Sequence, residues 1–234
     1  MLNKIKGDLR KLANKEKIPI YQNFFKTKKG QYSEGDVFIG VSVPNTRKIA
    51  KKYKDSKLSV VEQLLGSKIH EERLLGVLIL VQKYQKTNDD KIFFFYKKHN
   101  KKINNWDLVD LSADKIVGHY YYNNKNKIQE LYELAKSNNL WEKRTSMVST
   151  FYFIKNNDFK QTITVSELLL RDKHDLIHKA VGWMLREVGK KDKKILLQFI
   201  SKNYHKIPRT TLRYAIEKFS EAERLKYLKG NINL

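Results

Sequence analysis

Apolar residues in this chain recur at three- and four-residue steps through most of its length, the spacing of amphipathic helices. Helices are predicted over residues 2–14 and about 19–28, with Pro19 suited to a first helical turn. A Gly-containing polar loop follows at 29–36. Val37-Phe38-Ile39-Gly40-Val41-Ser42-Val43-Pro44 has the composition of a strand. In an otherwise helical chain it is predicted as an extended connection, and Pro44 opens a helix through residue 53.

From Leu58 the pattern repeats. Four long amphipathic helices begin at Lys68-Ile69-His70-Glu71, Asn105-Trp106-Asp107-Leu108, Asn139-Leu140-Trp141-Glu142 and Asp175-Leu176-Ile177-His178. A looser fifth start lies near Ile207-Pro208-Arg209, and shorter helices are predicted at 91–99, 128–135, 162–170 and 195–202. A helix pair roughly every 35 residues predicts an all-α fold, an α-solenoid of HEAT-like repeats. The domain reading is a single domain over 1–234, with a helical N-terminal cap at about 1–57 and repeats at about 58–234. Few prolines (3) and glycines (10) fit helices better than the frequent turns of an all-β chain.

Equivalent positions in stacked repeats share a face. Counted from each start, the first position holds Ile69, Trp106, Leu140 and Leu176, the fifth Arg73, Asp110, Arg144 and Ala180, and the eighth Gly76, Ala113, Met147 and Trp183. These offsets fall on one helical stripe, so Trp106, Asp110, Arg144 and Trp183 are predicted on a common surface. If the stripe lines a groove, two indoles, a carboxylate and a guanidinium converge there. If it faces the core, Asp110 and Arg144 form an ion pair between repeats. Trp106 and Asp110, one turn apart behind the capping pair Asn104-Asn105, suit a ligand that is cationic and partly apolar. An amphipathic helix with a packed Trp and a solvated Asp reads the same spacing more plainly.

Charge narrows the partners. Lys and Arg number 48 against 25 Asp and Glu, a formal net charge of +23. Such a field draws polyanions, with nucleic acid foremost, ahead of acidic protein or a membrane surface. There is no Cys, which excludes disulfides, thiol catalysis and Cys-based zinc sites, and no apolar run reaches the roughly 20 residues of a membrane span. The first ten residues read as an amphipathic helix rather than a secretory leader, and the expected location is cytoplasmic.

Three blocks resemble the AlkD-like DNA alkylation repair glycosylases: Asn105-Trp106-Asp107-Leu108-Val109-Asp110, Leu140-Trp141-Glu142-Lys143-Arg144 and Lys179-Ala180-Val181-Gly182-Trp183-Met184-Leu185-Arg186-Glu187. Phe38-Ile39-Gly40-Val41-Ser42-Val43-Pro44-Asn45-Thr46-Arg47 resembles an earlier block of the same family, and all four occur in family order. The resemblance implies a curved array of HEAT-like repeats that acts as a monomer, without metal or organic cofactor, on double-stranded DNA containing alkylated bases. The implied activity is excision of cationic N3- and N7-alkylated purines. It places the catalytic carboxylate at Asp110, the two lesion-contacting aromatics at Trp106 and Trp183, and the phosphate-gripping Arg at Arg144. An N-terminal aromatic, commonly Tyr in the family, falls near Phe25, with Tyr21 and Phe24 close by. The family's groove implies recognition from the backbone side, and a shallow solenoid groove is expected to offer no closed base pocket. Lys143, Arg47, Lys179, Arg186, Arg209 and Arg213 are candidate phosphate contacts, each also readable as a solvated charge.

Two further functions fit a basic solenoid: a DNA-binding repeat protein without catalysis, and a protein-interaction scaffold. His174 and His178 lack a third ligand of suitable spacing and are read as structural, Trp141 is read as packing, and Phe93-Phe94-Phe95-Tyr96 as core.

Overall fold

The computed structural model describes residues 1–230. It divides into two compact units, Met1–Ile116 and Val117–Leu234. Among the described residues the regular structure is helical, and no helix is long and apolar enough to cross a membrane.

The first unit contains α1 (Leu2–Arg10), α2 (Lys17–Phe24), α3 (Val43–Lys52), α4 (Leu58–Leu65), α5 (His70–Thr87), α6 (Asp90–Lys98) and α7 (Trp106–Ala113). Helix α5 is its centre, packed against α3, α4, α6 and α7. Glu71 and Glu72 occupy its first turn, where the helix dipole favours negative charge, and Asn88 ends it in the left-handed conformation. The Val37–Pro44 stretch is extended over residues 37–42, as its isolation in the sequence predicted, and α3 begins at Val43, one residue before Pro44. Its one ladder contact is a bridge to Ile69, in which Val37 N–H donates to the Lys68 carbonyl (3.2 Å) and His70 N–H to the Val37 carbonyl (2.8 Å).

The second unit contains α8 (His119–Asn123), α9 (Ile128–Lys136), α10 (Leu140–Lys155), α11 (Lys160–Leu169), α12 (Asp175–Lys191), α13 (Lys193–Asn203), α14 (Arg209–Ala215) and α15 (Glu221–Lys229). Helices α10 and α12 pack side by side, and α14 lies against α12. Gly182 permits that last contact: a Cβ there would come within 2.6 Å of the Thr211 carbonyl oxygen.

Two of the four long-helix starts follow the caps read from sequence. Asn105 accepts from Trp106 N–H, and Asn139 accepts from Trp141 and Glu142 N–H. The third comparable start is capped by His174, whose Nδ1 accepts from Leu176 N–H, one residue before the expected Asp175. The first begins after Ile69 without a side-chain cap. Other details correct the sequence reading. The first helix stops at Arg10, and the second runs over 17–24 because Phe25 leaves the helical region. The long helix predicted from Asn105 runs on from α7 through a π-helical turn at 114–118 into α8, whereas α15 was not anticipated, although the Ser220–Glu223 capping box that opens it is a legible signal. Of the run 93–96, Phe93 and Tyr96 are buried but Phe94 is half exposed.

Candidate active site

The site of the first unit begins with a helix start. Asn105 is fully buried; its Oδ1 accepts from Trp106 N–H (2.8 Å) while its Nδ2 donates to Ser33 Oγ (2.6 Å). One side chain thus opens α7 and ties it to the loop before the extended stretch. Beside it lies a buried chain of charges. His70 Nε2 faces Asp107 Oδ2 at 2.8 Å and its Nδ1 faces Asp36 Oδ2 at 3.4 Å, while Arg73 Nη2 donates to Asp36 Oδ1 (2.7 Å). With a carboxylate at each ring nitrogen, the imidazolium is the form that satisfies both. Burial alone pulls the His70 pKa down, but the Asp107 charge and the hydrogen bonds to Asp107 and Asp36 outweigh it and hold the pKa at about 9. Burial pushes Asp36 up, yet the His70 hydrogen bond and the Arg73 charge leave it below the usual carboxylate range.

Glu71 does a different task. Its carboxylate accepts from the backbone N–H groups of Gly40 (2.8 Å), Ile39 (3.1 Å) and Val41 (3.2 Å). It thereby fixes the extended stretch against α5, with Gly40 at φ 79°, where an added Cβ would collide with the Asn14 carbonyl oxygen at 2.0 Å.

On this frame stands an aromatic stack. Phe25 lies nearly parallel to Trp106 (centroids 5.2 Å, 15°) on one side and to Phe38 (5.0 Å, 23°) on the other. Phe38 in turn stacks on the His70 ring (4.6 Å, 23°), and Phe24 meets Trp106 edge-on at 5.6 Å. Trp106 and Asp110, one turn apart on α7, line the same cavity of about 310 Å³, together with Tyr21, Phe24, Phe25 and His70. The cavity is open at its mouth rather than closed over. The extended stretch and the Phe24-Phe25 turn build a wall in front of α7 that a plain helix pair lacks.

In the second unit, Trp183 is half-buried on α12 and tilts against Phe151 of α10 at 6.1 Å. Arg144 is 5% exposed and donates to the Leu176 carbonyl (2.6 Å), held by protein rather than standing open on the surface. Lys143 pairs with Asp172 (2.7 Å), Lys179 with Asp175 (2.7 Å), Arg186 with Glu217, and Arg209 donates to the Leu228 carbonyl. Arg47 on α3 and Arg213 on α14 are exposed. His178 Nε2 donates to the Asp172 carbonyl (2.6 Å), a structural bond like the His174 cap.

Sequence reasoning missed His70, Asp107, Asp36 and Glu71 as site-building residues. One signal was available: His70 and Asp107 hold the same offset from two successive repeat starts, so an opposite-charge pair at that offset predicts their contact.

Comparison with known proteins follows the same line. A family model described as DNA alkylation repair enzyme matches residues 5–219. A solved structure described as a predicted DNA alkylation repair enzyme from Enterococcus faecalis superposes with a TM-score of 0.73 at 16% identity, over 89% of this chain and 97% of that one. The crystal structure of AlkD2 from Streptococcus mutans gives 0.56 at 19% identity, over 88% and 99%. These likenesses speak for the fold. No curated protein matches the chain in sequence.

Proposed function

The chain belongs to the DNA alkylation repair enzymes, and we propose that within repair of alkylated DNA it is a DNA glycosylase that hydrolyses the N-glycosidic bond of N3- and N7-alkylated purines. The observation that carries this reading is Asp110 lining an aromatic cavity one turn from Trp106.

An alkylpurine of this kind already bears a positive charge, so its base departs with the bond's electron pair as a neutral molecule and needs no general acid. The deoxyribose left behind develops oxocarbenium character. The Asp110 carboxylate stabilises that charge, orients the attacking water and takes its proton as the new C–O bond forms. The Trp106 indole face favours the same positive charge. Trp183 and Arg144 of the second unit are assigned by family resemblance to the lesion nucleotide and its phosphates. Lys143, Arg47, Lys179, Arg186, Arg209 and Arg213 add backbone affinity without sequence readout. The reaction as written uses no metal or organic cofactor, and a cytoplasmic monomer suffices for it.

The test is release of 7-methylguanine and 3-methyladenine from methylated duplex DNA, with wild type beside Asp110→Asn. The variant is expected to lose on the order of 10²–10³-fold in rate, the scale of one preorganised electrostatic group, while still binding DNA. Undiminished release by the variant removes Asp110 from the chemistry. No release by either, with tight DNA binding, makes the chain a non-catalytic DNA-binding repeat protein.

A further inference from the structure

Unlike α1 and α3 on either side of it, α2 buries none of its residues. After Met1, Ile20 at 62% and Phe24 at 60% are the most exposed large apolar side chains among the described residues. They stand one turn apart, a spacing that puts both on one face of the helix. Burial would stabilise both, yet the fold leaves them in water.

The pair has a firm base. Phe25, next in the chain, turns inward to stack between Trp106 and Phe38, its ring at 90° to that of Phe24. Phe24 itself meets Trp106 edge-on at 5.6 Å. Lys26 follows in the left-handed conformation (φ 57°), which a non-glycine residue rarely adopts, and closes the turn directly behind the two rings. Ile20 lies outside the lining of the aromatic cavity, so the exposed face extends beyond it.

Charge indicates what this face meets. Lys15, Lys17, Lys26, Lys28 and Lys29 flank it, all exposed, against Glu16 as the one acidic residue of 15–29. Among the described residues none of these five lysines is held in an ion pair. Duplex DNA answers both features. It carries one phosphate charge per ~1.7 Å of its axis, and its base steps admit apolar wedges such as Phe and Ile. Two side chains are too few to anchor a protein interface, which buries about 1,200 Å² or more.

We propose that Ile20 and Phe24 are a wedge that enters a base step of duplex DNA beside the nucleotide held at Trp106 and Asp110, while the flanking lysines grip the adjacent phosphates. Opening that step kinks the duplex and deprives the neighbouring nucleotide of one stacking partner. The place of the wedge beside the lesion rests on the glycosylase reading; its entry into DNA does not.

The experiment uses the full chain and a duplex with a hydrolysis-resistant 2′-fluoro 7-methylguanine. 2-Aminopurine, which brightens when it leaves the stack, occupies the adjoining base pair on one side or, in a second duplex, on the other. The variants are Ile20→Ala, Phe24→Ala and Ile20→Leu, each shown folded by thermal unfolding. Because Ile20 is not part of the cavity lining, its variants report on the wedge and not on the aromatic stack. Vesicles of equal parts phosphatidylcholine and phosphatidylserine form a second arm.

The wild type is expected to brighten one of the two duplexes. Ile20→Ala and Phe24→Ala should each cut that rise roughly threefold or more, and Ile20→Leu, which keeps an apolar wedge, should retain it. The slope of log affinity against log salt should stay at its wild-type value in all three, since no phosphate contact is lost. No binding to the duplex, binding without a rise, or a rise kept by both alanine variants overturns the proposal. Vesicle binding that Ile20→Ala abolishes, with no rise on DNA, assigns the face to a membrane surface instead. Base release from methylated DNA separates the two readings. Release without a rise keeps the glycosylase and loses the wedge, whereas a wedge-dependent rise without release keeps the wedge and loses the glycosylase.

Discussion

Helices α5 and α10 are the long central helices of their units, yet they fill their buried polar positions with different chemistry. Helix α5 opens with His70, Glu71, Glu72 and Arg73, none more than 4% exposed. Each reaches away from its own helix: His70 to Asp36 and Asp107, Glu71 to residues 39–41, Glu72 to Lys6 and Arg10, Arg73 to Asp36. Helix α10 buries Thr145, Ser146, Ser149 and Thr150. Ser149 and Thr150 return their hydroxyls to carbonyls of the same helix, at Thr145 (2.6 Å) and Met147 (2.7 Å). Among the described residues Arg144 is the one buried charged side chain of the second unit. The difference teaches where ionisation matters. Charges in the first unit hold a non-helical wall in place before Trp106 and Asp110, whereas hydroxyls in the second fill polar positions inside a helical stack.

The largest effect expected from this contrast is that of His70→Leu. It removes the cation between two carboxylates and leaves Asp107 buried without that partner. Breaking a buried ion pair from one side costs about 3–5 kcal/mol, to be read by urea denaturation at neutral pH. A cost below 1 kcal/mol would mean that the charge network does not hold the wall.

Next comes the pH dependence of the wild type. The folded-state pKa of His70, about 9, lies above its ordinary value of 6.5. A raised histidine pKa adds stability that is complete below about pH 6.5 and is lost as pH climbs through 9. The window is therefore pH 6.5 to 9, with a loss on the order of 3 kcal/mol at 1.36 kcal/mol per pKa unit. His70→Gln should flatten that slope. A wild-type stability level across the window would show that His70 is not the imidazolium its two carboxylates imply.

The same contrast explains what could be read in advance. Asn105 and Asn139 were legible because a cap acts on residues one to three positions away. Trp106 and Asp110 were legible as a pair because helical spacing alone puts them on one face, and both line the cavity. Glu71 was not, since its three donors lie some thirty residues earlier and become neighbours only when the chain returns along α5. Nor does spacing in a short helix say which of Phe24 and Phe25 turns inward; Phe25 is 8% exposed and Phe24 60%. Arg144 reads in sequence as a basic groove residue, but its guanidinium meets a carbonyl in the first turn of α12, at the start of the next repeat. What stayed hidden at Glu71 and Arg144 is a long-range polar contact, and the first unit is built on such contacts.

The smallest effect tests the other half of the comparison. Thr150→Val in α10 removes a hydroxyl that is fully buried and bonded to the Met147 carbonyl. That carbonyl lies within α10 and keeps its backbone donor, so no acceptor is stranded, and the loss is that of one ordinary hydrogen bond, about 0.5–1 kcal/mol. The variant should carry the wild-type slope between pH 6.5 and 9 unchanged, because no ionisable group is touched. A cost above 2 kcal/mol, or an altered slope, would mean that the second unit also depends on its buried polar groups for more than filling space, and the division of labour drawn from α5 and α10 would fall.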